Sequence, residues 1–397
     1  MSEMGPFGAG GPFEDVMRNL ARMLTTQGPV NWEIARQLAS WTATGGEPDA
    51  NPDPVSRVRL EELLRVAELH VSDATGLPSS AAGVLSVQAV GRGDWALRTL
   101  EAWKPRFERL ARAMADAAPP EGPADPAGPA MDPMTQLFSN LPQMLGPLLL
   151  GMQAGSMVGQ LAARAMGQYE LPMPRPVADE LLMIPLTIDH FAQEWSLDPD
   201  DVRLWVCLRE VTNHVIVSRP HVRSRLDQLI DAYVGAWEPD PRALEERLAG
   251  FDPTDMAALQ STFSDPSALL GEMQTDEQRR LQVPLRSLLV TIAGYVDHIM
   301  DTVGRHLIAG YPQLTEALHR RRLEEHGGAK ILGQLFGVTL DASDYERGER
   351  FVAGVLKRAD PDALTRLWKT EGELPTPAEL EAPGLWLARI DLPAEES

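Results

Sequence analysis

Apolar residues recur every three or four positions along most of the chain, which is the spacing of an α-helix. The pattern repeats in several segments between residues 13 and 117, one of which begins at Asn31, a residue that can cap a helix. Sustained alternation of apolar and polar residues, which is typical of a β-strand, is scarce. The best candidate for a strand is the segment 181–188. The sequence therefore predicts a mainly α fold.

Two further helices are predicted to be largely buried. The first begins after Asp198, a candidate N-cap, and spans Pro199 to Ser218 with apolar residues on several faces. A charged side chain within it therefore needs a partner. The second spans roughly Pro284 to Ala309, and a short helix near the C-terminus is indicated by the capping-box residues Thr376 and Glu379.

Glycine and proline divide the chain. We expect a flexible tail over residues 1–12, where both residues are frequent, and a helical N-terminal region over residues 13–117. Residues 118–133 contain six prolines and two glycines, a composition that cannot continue a helix and is typical of a linker. A second domain is then predicted over residues 134–397.

Residues 144–163 carry no charge and approach the length of a membrane span. Gly151, Gly155 and Gly159 recur every four residues in this segment, so one helix face lets another helix approach closely. Four polar or helix-breaking residues lower its apolarity: Pro147, Gln153, Ser156 and Gln160. Since no Lys or Arg cluster flanks the segment, we expect a buried, closely packed helix rather than a membrane segment.

Composition narrows the function classes. The 397 residues include 57 Asp and Glu against 36 Lys and Arg, giving a net charge of −21, which argues against a nucleic-acid partner. The single cysteine, Cys207, excludes an intramolecular disulfide and a cysteine-based structural zinc site. The first twenty residues lack the basic start and apolar middle of an export signal, so the expected location is cytoplasmic.

The segment from residue 204 to residue 225 carries the most specific chemical signal. Zinc peptidases of the HExxH type place two histidine ligands four residues apart on a helix, with a glutamate base after the first. Here the corresponding frame holds Arg209, Glu210 and Asn213. Arginine has no lone pair to donate and repels a divalent cation, while asparagine offers only a neutral carbonyl oxygen. The glutamate is thus present without its histidine partners.

Four segments of the chain, one of which contains this frame, share a pattern with a known family. They are GPVNWEIARQLA (28–39), WVCLREVTNH (205–214), GYVDHIMDTVG (294–304) and ELPTPAEL (373–380). They resemble a zincin-like family of high-GC Gram-positive bacteria whose members are described provisionally as hydrolases or as zinc-dependent metalloproteases. The resemblance covers nearly the whole chain in order. It implies a zincin-like helical metallopeptidase domain with the N-terminal helical region packed on it.

The resemblance also assigns roles to residues. In metal-binding members the helix resembles HEVTH, and a later EGxxD supplies a glutamate as the third ligand. Carried onto this chain, the former ligand positions are Arg209, Asn213 and Ala293, the catalytic base is Glu210, and the supporting aspartate is Asp297. The chain is therefore degenerate at all three ligand positions, and a branch of the family already has arginine at the first of them.

Several interpretations of this site stay open. Arg209 can form a bidentate ion pair with Asp297, so that its charge replaces that of zinc, or it can bind an anion or a peptide carboxylate. Alternatively, Glu210, His214 and His298 together hold a metal ion. Otherwise His214 and His298 are ordinary packing or surface residues.

These alternatives give two function hypotheses. In the first, the protein is a pseudoenzyme without cofactor that binds an unknown protein or peptide partner through the closed former cleft or the glycine face at 151–159. In the second, it is a zinc-dependent hydrolase or peptidase with substituted ligands around Glu210, His214 and His298. Whether it is an enzyme, and its oligomeric state, are left open by the sequence.

Overall fold

The computed structural model describes residues 28–80, 83–116, 133–176, 178–237, 274–323 and 327–392. The described chain is dominated by α-helix, which confirms the predicted mainly α fold. The predicted tail and the helix before residue 27 lie outside the described residues, as do residues 118–132 of the predicted linker.

The elements before the long central helix are α1 (Trp32–Thr44), α2 (Pro54–Thr75), β1 (Ser86–Ala89), α3 (Arg92–Asp116), α4 (Pro133–Ala162), β2 (Glu180–Met183), α5 (Pro185–Glu194), α6 (Pro199–Val217) and α7 (Pro220–Gly235). From that helix onward they are α8 (Asp276–Leu307), α9 (Tyr311–Leu323), α10 (Gly327–Phe336), α11 (Ala342–Leu356), two 3-10 helices (Pro361–Trp368 and Glu371–Glu373), α12 (Pro377–Glu381) and α13 (Pro383–Ile390).

Helix α6 begins where the sequence predicts. The side chain of Asp198 accepts hydrogen bonds from the backbone N–H groups of Asp200 and Asp201, and Pro199 occupies the first helical position. The helix ends at Val217, and most of its second half is buried on every face. A polar side chain in this half must therefore find its partners inside the protein.

Helix α8 is longer than predicted. It begins after Thr275, whose side chain forms a reciprocal capping box with Gln278, and Pro284 lies inside the helix rather than at its start. The predicted start was wrong because proline favours a first turn, whereas here the capping box satisfies the first N–H groups two turns earlier. Near the C-terminus the predicted capping box of Thr376 and Glu379 is present at the start of α12.

The two strands join distant parts of the chain. β1 and β2 pair in parallel, with Ser86 opposite Glu180 and Ala89 opposite Met183. The strand predicted over residues 181–188 is correct only at its beginning, because Pro185 starts helix α5. Residues on both sides of the predicted linker thus share one strand pair and one continuous hydrophobic core. The division into two domains stays a prediction.

The glycine face of α4 packs against α1. A methyl group at Gly155 would lie 2.5 Å from the carbonyl oxygen of Ala35, and one at Gly159 would lie 2.7 Å from that of Ala39. The predicted close helix approach is confirmed, but the occupant is α1 of the same chain, so the prediction that a partner binds this groove is wrong. Among the described helices, none has both the length and the apolarity that a bilayer crossing requires.

Helices α6 and α8 form the centre of the fold and pack side by side. On its other side α8 crosses α11 at Gly294 and Gly348. A methyl group at Gly348 would lie 2.7 Å from the carbonyl oxygen of Val290, so only glycine lets the two backbones come this close. This crossing fixes the backbone around Ala293 and Asp297.

Candidate functional site

The carboxyl group of Glu210 is the most buried charged group at the site. Its side chain is 1% exposed. The backbone N–H of Tyr169 donates a hydrogen bond of 2.8 Å to Glu210 Oε2. A methyl group at Gly167 would collide with the Glu210 carboxyl group, and the indole N–H of Trp95 donates to the Gly167 carbonyl oxygen at 3.0 Å. The segment 167–169 therefore lies directly over the carboxyl group and closes it off.

Burial changes the acidity of this group. Loss of solvent raises the pKa of Glu210 to about 7, although the Arg209 charge and the N–H of Tyr169 act in the opposite direction. The nearby charge of Glu170 adds to the increase. At neutral pH the protonated and ionised forms of Glu210 are therefore both populated. A carboxylate that holds a proton this readily is poised for proton transfer only if water reaches it.

Arg209 lies at the edge of the site and is 27% exposed. Its Nη1 donates to Glu210 Oε1 at 3.3 Å, and its guanidinium group lies 5.8 Å from the centre of the Trp205 ring system. Together with Tyr169, it gives both oxygens of Glu210 a hydrogen-bond donor. Arg209 thus supplies a positive charge directly to the glutamate.

The predicted ion pair between Arg209 and Asp297 is wrong. Asp297 instead accepts two hydrogen bonds from Arg322 of helix α9, with Nη1 to Oδ2 at 3.3 Å and Nη2 to Oδ1 at 3.4 Å. The Arg322 guanidinium also lies 4.1 Å from the centre of the Tyr345 ring. Arg322 pairs with Asp297 because its guanidinium group donates two N–H groups to the two carboxylate oxygens. Arg209 instead pairs with Glu210, the next residue in the sequence.

The remaining predicted site residues do not converge. His214 is buried, its Nδ1 lies 3.0 Å from the hydroxyl of Tyr169, and burial lowers its pKa. The side-chain amide of Asn213 donates a hydrogen bond of 2.9 Å to the backbone carbonyl oxygen of Arg209, one turn earlier in the same helix. His298 and Ala293 lie on α8, both partly buried, and burial lowers the pKa of His298.

These residues do not fit a zinc ion. Within the ranges that the structure describes, no group of three or more His, Cys, Asp or Glu side chains is placed to hold a metal. Glu210, His214 and His298 are not brought together as a ligand set, and the Arg209 charge beside Glu210 opposes a cation. The Cys207 thiol is buried in the same helix, and burial raises its pKa.

A buried cation that the sequence analysis did not single out lies behind the site. Arg175 packs between Trp95 and Trp103, at 5.1 and 5.7 Å from their ring centres, and donates to Thr99 Oγ1 at 2.5 Å. Burial lowers its pKa to about 10, while the nearby Tyr169 hydroxyl and Glu210 carboxyl group act in the opposite direction. The interior near Glu210 therefore contains a second buried polar side chain.

No cleft stands out at Glu210 among the described residues. Two cavities found among the described residues are not lined by Glu210. One of about 20 Å³ is enclosed by Val30, Phe107 and Leu335 among others, and a shallow one of about 410 Å³ borders Pro54 and Glu62. The first has room for about one water molecule. The Glu210 carboxyl group is instead covered by the 167–169 segment, with Arg209 at the edge of the site.

The fold is mainly helical, with the buried Glu210 on one central helix and Asp297 on the adjacent one. The chain belongs to the zincin-like metallopeptidase family, whose model matches residues 30–387.

Among solved structures, it is similar in fold to a protein from Chloroflexus aurantiacus that is provisionally named a hydrolase with a novel fold. The two share 22% identity, the match covers 92% of this chain and 100% of the other, and the TM-score is 0.62. The comparison with curated proteins gives no match.

Proposed function

We propose that this protein is a member of the zincin-like metallopeptidase family that has lost its zinc ligands and acts by binding a protein or peptide partner. The observation that carries the proposal is the ion pair between Arg209 and the buried Glu210, at 3.3 Å. In the family pattern a zinc ligand stands at position 209. A guanidinium group there has no lone pair for a metal, and it supplies the positive charge that would otherwise come from the ion.

The state of Glu210 also supports a non-catalytic role. A general base must reach the water or substrate proton that it removes. Both oxygens of Glu210 accept hydrogen bonds from the protein, one from Tyr169 and one from Arg209, and the side chain is almost fully buried. Because the 167–169 segment covers the carboxyl group and leaves it almost fully buried, substrate water lacks access to it, and the glutamate acts as a structural anchor for this segment.

Metal content tests the proposal. Purified protein, expressed with added zinc, should contain far below one equivalent of zinc by elemental analysis, and calorimetric titration with zinc should show no stoichiometric site. Stoichiometric zinc that is lost in a His214→Ala variant would refute the proposal. That result would favour the zinc-dependent hydrolase in which Glu210, His214 and His298 serve as substituted ligands.

A restored variant makes the test sharper. Arg209→His, Asn213→His and Ala293→Glu together return a complete ligand set to the positions that the family pattern assigns. We expect this triple variant to bind one zinc ion, while the matched control with Arg209→Ala, Asn213→Ala and Ala293→Glu binds none. Zinc binding by the control as strongly as by the triple variant would show that these three positions are not the former site.

The proposal includes a cytoplasmic location. Its support is the cysteine content, since Cys207 is single and fully buried, which suits a compartment that keeps thiols reduced.

A further inference from the structure

The outer face of helix α2 carries an apolar strip. The inner face is occupied by core residues such as Leu60 and Leu64, which pack towards α6 and β1. On the opposite face four aliphatic side chains are exposed to solvent, Val55 by 73%, Val58 by 49%, Val66 by 39% and Leu69 by 60%. A shallow depression of about 410 Å³ borders the N-terminal end of this strip.

The strip has the spacing of a coiled-coil seam. Val58, Glu62, Arg65 and Leu69 follow one another at intervals of four, three and four residues, which are the d and a positions of successive heptads. Val66 widens the strip on one flank. Since α2 extends over 22 residues, or about 33 Å at 1.5 Å per residue, the seam is presented on a straight and well-capped helix.

The charges in the middle of the seam select its partner. If a second α2 approaches antiparallel about a two-fold axis midway between positions 62 and 65, Glu62 of each copy faces Arg65 of the other. The same axis places Val58 of each copy against Leu69 of the other. A parallel pair would instead place Glu62 on Glu62 and Arg65 on Arg65, which repel.

Both central side chains are free to take part. Glu62 is 53% exposed and accepts one hydrogen bond, from Arg59 on its flank at 2.9 Å, which leaves further acceptor capacity on the carboxylate. Arg65 is exposed, and within the described residues no carboxylate lies at ion-pair distance from it. In an antiparallel pair the seam is therefore complementary to itself in charge.

We propose that the outer face of α2 is a homodimer interface, in which two copies of this chain pair their α2 helices antiparallel. The apolar layers of Val58 and Leu69 flank two central ion pairs between Glu62 and Arg65. A single helix pair is small for a protein interface, so this dimer dissociates at micromolar concentration. The interface is independent of the site at Glu210.

Sedimentation equilibrium of the full chain tests the proposal. Between about 1 and 200 µM the protein should pass from monomer to dimer. A double variant, Val58→Lys with Leu69→Lys, should weaken the dimer by about 100-fold because it places charges in both apolar layers. The matched control is Val283→Lys, which changes an equally exposed valine on α8 and should leave the dimer unchanged. All of these positions point to solvent, and circular dichroism verifies that each variant folds.

The charge layers give a second test. Glu62→Arg faces Arg65 of the other copy and should weaken the dimer about tenfold, while Glu62→Arg combined with Arg65→Glu should restore it. A chain that stays monomeric at the highest concentration overturns the proposal. So does a dimer that survives the double lysine substitution, or a charge exchange that fails to restore the dimer.

Discussion

The buried carboxyl group of Glu210 should make the protein less stable at neutral pH than at mildly acidic pH, and Glu210→Gln should remove this effect. Folding raises the pKa of Glu210 from its ordinary 4.5 to about 7. Between these two values the folded state holds a proton that the unfolded state has released. Stability therefore falls as pH rises through this window and is not regained above it.

The magnitude follows from the size of the shift. A change of about 2.5 pKa units corresponds to about 3 kcal/mol at 1.36 kcal/mol per unit. Glutamine has the shape of the protonated acid and keeps one oxygen that accepts from the Tyr169 N–H, while its NH2 group replaces the oxygen that faces the partly exposed Arg209, which can turn to solvent. The variant should thus match the wild type below pH 4.5 and exceed its free energy of unfolding by about 3 kcal/mol at pH 8.

Urea denaturation followed by tryptophan fluorescence at several pH values between about 4 and 8 measures the difference between the two proteins. Using the difference removes the contribution of the other titrating groups. Glu349→Gln, at an exposed position of α11, serves as the control for loss of a carboxylate outside the site. If the Glu210→Gln variant is less stable than the wild type at pH 8, burial of the ionised carboxylate is not the dominant cost and the reasoning is wrong.

Three further predictions concern buried residues of the fold. Gly155→Ala should lower the free energy of unfolding by about 1–3 kcal/mol because the added methyl group collides with α1. The control is Gly146→Ala, where a methyl group has open space and should not destabilise the protein. Equal effects of the two substitutions would contradict the packing argument. Asp344→Asn should cost about 3 kcal/mol in chemical denaturation, since this fully buried carboxylate pairs with Arg286, and a neutral outcome would show that the pair is dispensable. Finally, a thiol reagent should label Cys207 in urea but not in the native protein, because burial raises its pKa; rapid native labelling would mean that α6 is open to solvent.

Local signals in the sequence predict part of the fold. The start of α6 is fixed by Asp198 and Pro199, whose effects act within one turn, and the glycine spacing of α4 predicts a close helix contact. The identity of the contacting helix is a tertiary property, so the sequence does not name α1. Strand β1 is only four residues long, too short for an alternating pattern, and it forms because β2 offers it a partner.

The candidate site, too, is only partly predictable from the sequence. The family resemblance singles out Arg209, Glu210, Asn213, Ala293 and Asp297, but it does not predict the partners that these residues have in the fold. Tyr169 lies 41 residues before Glu210, and Arg322 lies 25 residues after Asp297. Such pairings depend on how helices are placed in space, and no spacing rule along the chain encodes them.

The crossing of α8 and α11 at Gly294 and Gly348 holds the backbone in place through glycine contacts, without any contribution from the side chains of the candidate site. The backbone beside Ala293 is held by glycine contacts, and Asp297 is held by Arg322, so neither residue of this motif needs a metal to keep its place. Exchange of the side chain at position 293 can then leave the architecture intact. For the same reason, the persistence of Gly294 and Asp297 in a sequence is no measure of peptidase activity.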